Sequence, residues 1–104
     1  MANLNIEELE PRYCSNKSFY KKAHVVTYNG YYVLESYGLN ILAVKNNLIV
    51  TTDNYAYSNT TSRHVHEFLK QYYTDLSSKD LGRVYKLNPW DGDLSSLDDI
   101  DITS

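Results

Sequence analysis

At 104 residues the chain fits one domain, long enough to hide roughly 60 to 70 per cent of its unfolded surface without disulfide or metal staples. Cys14 is the only cysteine, no apolar run approaches the roughly 18 to 20 residues that cross a bilayer, and residues 1–10 lack the basic and apolar blocks of a secretory signal, so the chain reads as cytosolic. The net charge of −3 is unevenly spread: all ten lysines and arginines lie between Arg12 and Lys86, and both acidic ends, 1–10 and 91–104, carry none.

Residues 1–22 form an N-terminal segment in which Leu4, Ile6 and Leu9 suggest a short helix that Pro11 would end. An α+β domain is expected over residues 23–90. Its first half has strand chemistry: Ala23 to Tyr28, the hairpin dipeptide Asn29-Gly30, then Tyr31 to Tyr37. After Gly38, Leu39 to Lys45 offers Leu39, Ile41 and Ala43 to one side and Leu42 and Val44 to the other, the pattern of a strand covered on both faces. Asn46-Asn47 turns into Leu48 to Thr52, and Asp53-Asn54 turns again into Tyr55 to Ser58. The result is an antiparallel meander of four or five strands. Val65, Phe68, Leu69, Tyr72 and Leu76 then recur at helical spacing behind the capping candidates Thr60, Thr61 and Ser62, which predicts one amphipathic helix over 61–76 packed on the sheet. Arg83 to Leu87 is expected as an edge strand stopped before Pro89. From Asp91 onward the composition of acids, serines and isolated aliphatics predicts a flexible acidic tail over 91–104, which aids solubility, orders on a basic partner, or folds back over the body.

Catalytic chemistry has few candidates. There is no G-x-S-x-G elbow, P-loop or dinucleotide fingerprint, and the paired carboxylates lie in the two ends, so neither an enzyme nor a cofactor is expected. His64-Val65-His66 invites a metal, but on a helix the two rings point about 160° apart and cannot share one ion. The helix start supplies amides and hydroxyls beside Arg63 and His64, so Thr61, Arg63 and His64 form a candidate anion site; the plainer account is that the hydroxyls cap and His64 is bonded to a neighbour. Eleven tyrosines suit half-buried sheet surfaces and binding surfaces alike, which makes Tyr55 and Tyr57, ahead of the helix, candidate contacts. Trp90, at the root of the tail, is expected to be exposed, a contact hot spot with Asp98 and Asp99 beyond it. Lysines interleaved with tyrosines suggest an alternative, a nucleic-acid-binding surface, although the total charge is negative and no RNP, KH or zinc-knuckle pattern is present.

Ser36-Tyr37-Gly38 through to the block Tyr57-Ser58-Asn59-Thr60-Thr61-Ser62-Arg63-His64-Val65-His66-Glu67-Phe68-Leu69 resembles a family of small proteins encoded by tailed bacteriophages and prophages, marked by Y-S-x-T-T-S-R-H-x-x-x-F-L and without an assigned activity. The resemblance covers about a third of the chain. It implies a phage accessory product in the host cytoplasm, acting by non-catalytic binding to a host or phage macromolecule, including components of host defence. A homo-oligomer joined through an exposed sheet edge is a third expectation.

Overall fold

The computed structural model describes residues 4–12, 22–46, 48–56, 58–74 and 76–100. Five strands, β1 (Leu4–Glu8), β2 (Ala23–Tyr28), β3 (Tyr31–Ser36), β4 (Leu39–Lys45) and β5 (Leu48–Thr51), lie side by side in chain order as one antiparallel sheet. A 3-10 turn (Asp53–Ala56) leads into α1 (Asn59–Tyr72), followed by α2 (Ser78–Leu87) and the short α3 (Ser96–Ile100). The α+β class and the meander are as the sequence predicts.

Tight turns set the register. Tyr28 pairs with Tyr31 across Asn29 and Gly30, at φ of 48° and 86°, the left-handed pair that a two-residue hairpin requires. Ser36 pairs with Leu39 across Tyr37 and Gly38, at 53° and 80°. Lys45 pairs with Leu48, and Asn46 between them again has positive φ, at 53°.

Both faces of the sheet are covered, by different parts of the chain. On the first face Ala23, Val25, Leu34, Ile41, Leu42, Val44 and Ile49 meet Val65, Phe68 and Leu69 of α1, Leu81 of α2, and Leu9. On the opposite face Val26, Tyr31, Val33, Ala43 and Val50 lie under Trp90 and Leu97, with Leu94 beside them. Two cores on one sheet explain why β4 is apolar in both directions.

Several boundaries differ from the sequence expectation, each for a local reason. Leu4 to Glu8 is a strand, not a short helix: Leu4 and Ile6 alternate with polar residues and pair against β2, and Leu9 continues the contact through its N–H to the Ala23 carbonyl at 2.9 Å. Pairing between β3 and β4 steps from Leu34–Leu42 to Glu35–Asn40, so Ile41 is an extra residue. Ile41 therefore joins Leu42 and Val44 in the first core and Ala43 goes to the second, a different division from simple alternation. Tyr55 lies in the 3-10 turn instead of a strand. The main helix starts at Asn59 and ends at Tyr72, because Ser58, not Thr60, Thr61 or Ser62, is its cap; Leu76 lies past its end yet still packs on the first core.

Arg83 to Leu87 belongs to α2, not to a strand. Ser77 begins a new helix: its hydroxyl accepts the Asp80 N–H at 3.2 Å and Asp80 returns a carboxylate to the Ser77 N–H at 3.1 Å. Hydrogen bonds donated to it by the Ser77 N–H and by the Ser77 hydroxyl hold the Asp80 carboxyl below its ordinary range. Gly82 inside this helix fits a close approach, since a Cβ there would lie 3.2 Å from the Tyr55 hydroxyl. Beyond α2 the chain runs beside the end of β5, where Trp90 N–H donates to the Thr51 carbonyl at 3.0 Å.

Of the three behaviours open to the acidic segment, residues 91–100 take the one in which it folds back, with Leu94 and Leu97 packed on the second face of the sheet. Asp98 accepts the Tyr28 hydroxyl at 2.9 Å and the Asn29 amide at 2.7 Å, pinning α3 to the β2–β3 turn. The carboxylate in turn raises the Tyr28 pKa. Residues 101–104 of the expected tail lie outside the described residues.

Candidate functional site

The start of α1 is tied down by its own side chains. Ser58 has extended backbone, with φ −151° and ψ 168°, and its Oγ accepts the Thr61 N–H at 3.1 Å while donating to Thr61 Oγ1 at 3.2 Å. Thr61 is buried, so its hydroxyl serves the cap. One turn on, His64 is fully buried, with Nδ1 2.8 Å from Ser36 Oγ and its ring tilted against Tyr37 at 5.8 Å between centroids. The bond to a neighbour that the plainer sequence account gives His64 is present. Ser36 is only 1 % exposed, so its hydroxyl acts here to fix α1 against the end of β3 and not as an accessible nucleophile.

Burial holds His64 below its ordinary pKa of 6.5, so the folded protein keeps the ring neutral. The unfolded chain takes up a proton near 6.5 and the folded chain only at lower pH, so the stabilisation is complete above about pH 6.5 and declines as pH falls below it. Asp80 and Asp91 act in a separate window, since both are held below the ordinary 3.8. The melting temperature of the wild type should therefore fall between about pH 7 and pH 5, and the substitution His64→Gln should flatten that stretch of the curve. An equal decline in both proteins would contradict the assignment.

An open cleft of about 220 Å³ lies between the β3–β4 turn, the 3-10 turn and the first turn of α1. Its wall is largely apolar, built from Tyr37, Leu39 and Ile41 with Ser36, Asn54 and Thr61 at its margin. Tyr37 and Leu39 are half exposed, at 52 % and 50 %. A second hollow of about 420 Å³ adjoins it across Leu39 and Asn54 and is polar, with Asp53, Asn40 and Asp91 beside the Tyr85 and Trp90 rings.

The residues singled out by sequence disperse. Thr61 lines the cleft and serves the cap of α1, while His64 is held behind it by Ser36 and Tyr37, two residues that do line the cleft. Arg63 points outward from α1 and is exposed. Tyr55 is half-buried and packs on the first core. Trp90 is 5 % exposed, with its Nε1 donating to the Asp93 carbonyl at 2.9 Å, which makes it a core residue and not the exposed anchor expected. Asp98 is occupied by Tyr28 and Asn29. Tyr57 and the Asp99 side chain lie outside the described residues. His64 and His66 both fall on α1, as expected, and among the described residues no three histidine, cysteine or acidic side chains group in a way that could hold a metal.

Sequence reasoning missed Tyr37 and Leu39. The signal was present, because Tyr37-Gly38 separates two strand-like runs just as Asn29-Gly30 does, with an aromatic ring where a turn ordinarily has asparagine.

A family model described as a family of unknown function (DUF8033) matches residues 7–83. No curated protein and no solved structure gives a significant match. The matched span includes the last two residues of β1, all of β2 to β5, both walls of the apolar cleft and the capped start of α2, and it ends before Trp90. With about three quarters of its length matched, the chain belongs to DUF8033, a family of unknown function.

Proposed function

We propose that this chain is a small phage accessory protein that acts in the host cytoplasm by non-catalytic binding to a host or phage protein, and that the Tyr37–Leu39 cleft is its contact surface. The phage context rests on the resemblance of the Tyr57 to Leu69 block. The observation that carries the binding reading is Tyr37 itself. A left-handed conformation costs an L-residue other than glycine or asparagine about 1 to 2 kcal/mol, and the first positions of the other two turns are Asn29 and Asn46. Here a bulky ring occupies such a position, half exposed, at the mouth of an apolar cleft. Backbone strain of this kind collects at ligand clamps, and tyrosine is among the residues that dominate binding hot spots.

The substitution Tyr37→Asn separates the two roles. It should leave stability unchanged or raise it by up to about 1 kcal/mol, because asparagine accepts the left-handed turn. It should also abolish capture of a partner that the wild-type chain retrieves from bacterial lysate, as should Leu39→Asp. A partner held equally by wild type and by both variants would show that the contact lies elsewhere.

The nucleic-acid reading has its own surface. On α2, Lys79, Arg83 and Lys86 follow at helical spacing on the side away from Leu81 and Val84, and all three are exposed. Asp80 sits 3.8 Å from Arg83 and offsets part of that charge. Binding through this stripe would weaken steeply with salt. A gel shift with no retardation at low ionic strength would dismiss it.

A further inference from the structure

The apolar cleft and the polar hollow share Leu39 and Asn54 as a common wall, so a ligand that fills one lies beside the other. Their chemistry is opposite. At about 220 Å³ the apolar cleft falls below the ~300 to 1,000 Å³ typical of small-molecule sites, and suits a single aliphatic or aromatic side chain. Among the described residues the wall of the polar hollow carries two carboxylates, Asp53 and Asp91, and no lysine or arginine. Asp53 heads the 3-10 turn and is exposed. Asp91 accepts the Asp93 N–H at 2.9 Å and the Ser96 hydroxyl at 3.0 Å, bonds that favour its charged form. Tyr85, 37 % exposed, contributes an aromatic ring to the same wall. Two carboxylates beside a ring attract a cation through both charge and the ring face, and repel phosphate.

Taking the cleft as the contact surface, we infer that the partner presents a peptide segment with an apolar side chain and, one or two residues away, a lysine or arginine. The apolar group enters between Tyr37, Leu39 and Ile41. The cation enters the hollow beyond Leu39, between Asp53 and Asp91. This pairing also gives the site a selectivity that an apolar slot alone lacks, because an acidic neighbour in the peptide meets like charge.

The test uses an array of short peptides on a glycine–serine frame, each with one leucine or phenylalanine and, one or two positions away, lysine, arginine, glutamine or glutamate, probed with the labelled full chain. Peptides with lysine or arginine should bind at least ten-fold better than their glutamate counterparts. Asp53→Asn should cut that preference several-fold while leaving the glutamine peptides unchanged, and Tyr37→Asn should weaken all of them. Equal binding of basic and acidic peptides, an Asp53→Asn protein with wild-type preference, or capture of a labelled oligonucleotide in place of every peptide would overturn the inference. If no peptide binds but a lysate partner is still lost on Tyr37→Asn, the peptide chemistry fails and the binding role stands. If the lysate partner is also indifferent to Tyr37→Asn, both fail.

Discussion

Replacing Trp90 with alanine should destabilise the protein by about 3 to 5 kcal/mol, the range for removing a buried tryptophan. The side chain covers the second face of the sheet together with Leu97, and only 5 % of it is exposed. Its loss opens a void over Val26, Tyr31, Val33, Ala43 and Val50 and also frees the Asp93 carbonyl that its Nε1 holds. A domain of this size is stable by about 5 to 15 kcal/mol in total, so the variant should unfold at far lower urea concentration. Urea denaturation followed by far-UV circular dichroism measures the shift. The distinction from an exposed hot spot is direct: a hot spot would lose a partner at unchanged urea midpoint, whereas Trp90→Ala should lose stability first.

Phe68→Ala should cost a similar amount, about 3 to 5 kcal/mol, on the other side of the sheet. Phe68 is fully buried between α1 and the strands and lies 5.2 Å from the Tyr72 ring, so truncation leaves a cavity that the surrounding strands cannot close. Trp90 is the only tryptophan, so its fluorescence reports the second core while circular dichroism reports the helices. In Phe68→Ala the two signals should still change together if the cores form one cooperative unit. A loss below about 1 kcal/mol would mean that α1 does not seal the first face.

What could be read in advance was whatever has a short-range period or a turn with its own chemistry. Asn29-Gly30 fixed one hairpin, and Val65, Phe68, Leu69 and Tyr72 marked one helix, because both signals are complete within a few residues. Ile41 could not be assigned to a face from alternation, since the extra residue in β4 is set by pairing with β3. The second helix was within reach: Ser77 and Asp80 have capping-box spacing, with Leu81 and Val84 on one side, but Gly82 and the two preceding serines masked it. Trp90, Leu94 and Leu97 were hidden by their acidic neighbours, because composition averages over a segment while burial selects individual side chains.

The candidate site was less legible than the fold. His64 stood out as a possible ligand and proved to be a neutral strut bonded to Ser36, a partner 28 residues away. The cleft itself is assembled from the β3–β4 turn, the 3-10 turn and the cap of α1, and no single stretch of sequence carries its shape.

Covering the second face with residues 90–97 also has a consequence for biosynthesis. Every strand leaves the ribosome before the residues that shield that face, and Tyr28 waits 70 positions for Asp98. At roughly 5 to 20 residues per second, the half-made sheet exposes valines and tyrosines for several seconds. During that interval it is open to chaperones, or to another nascent copy.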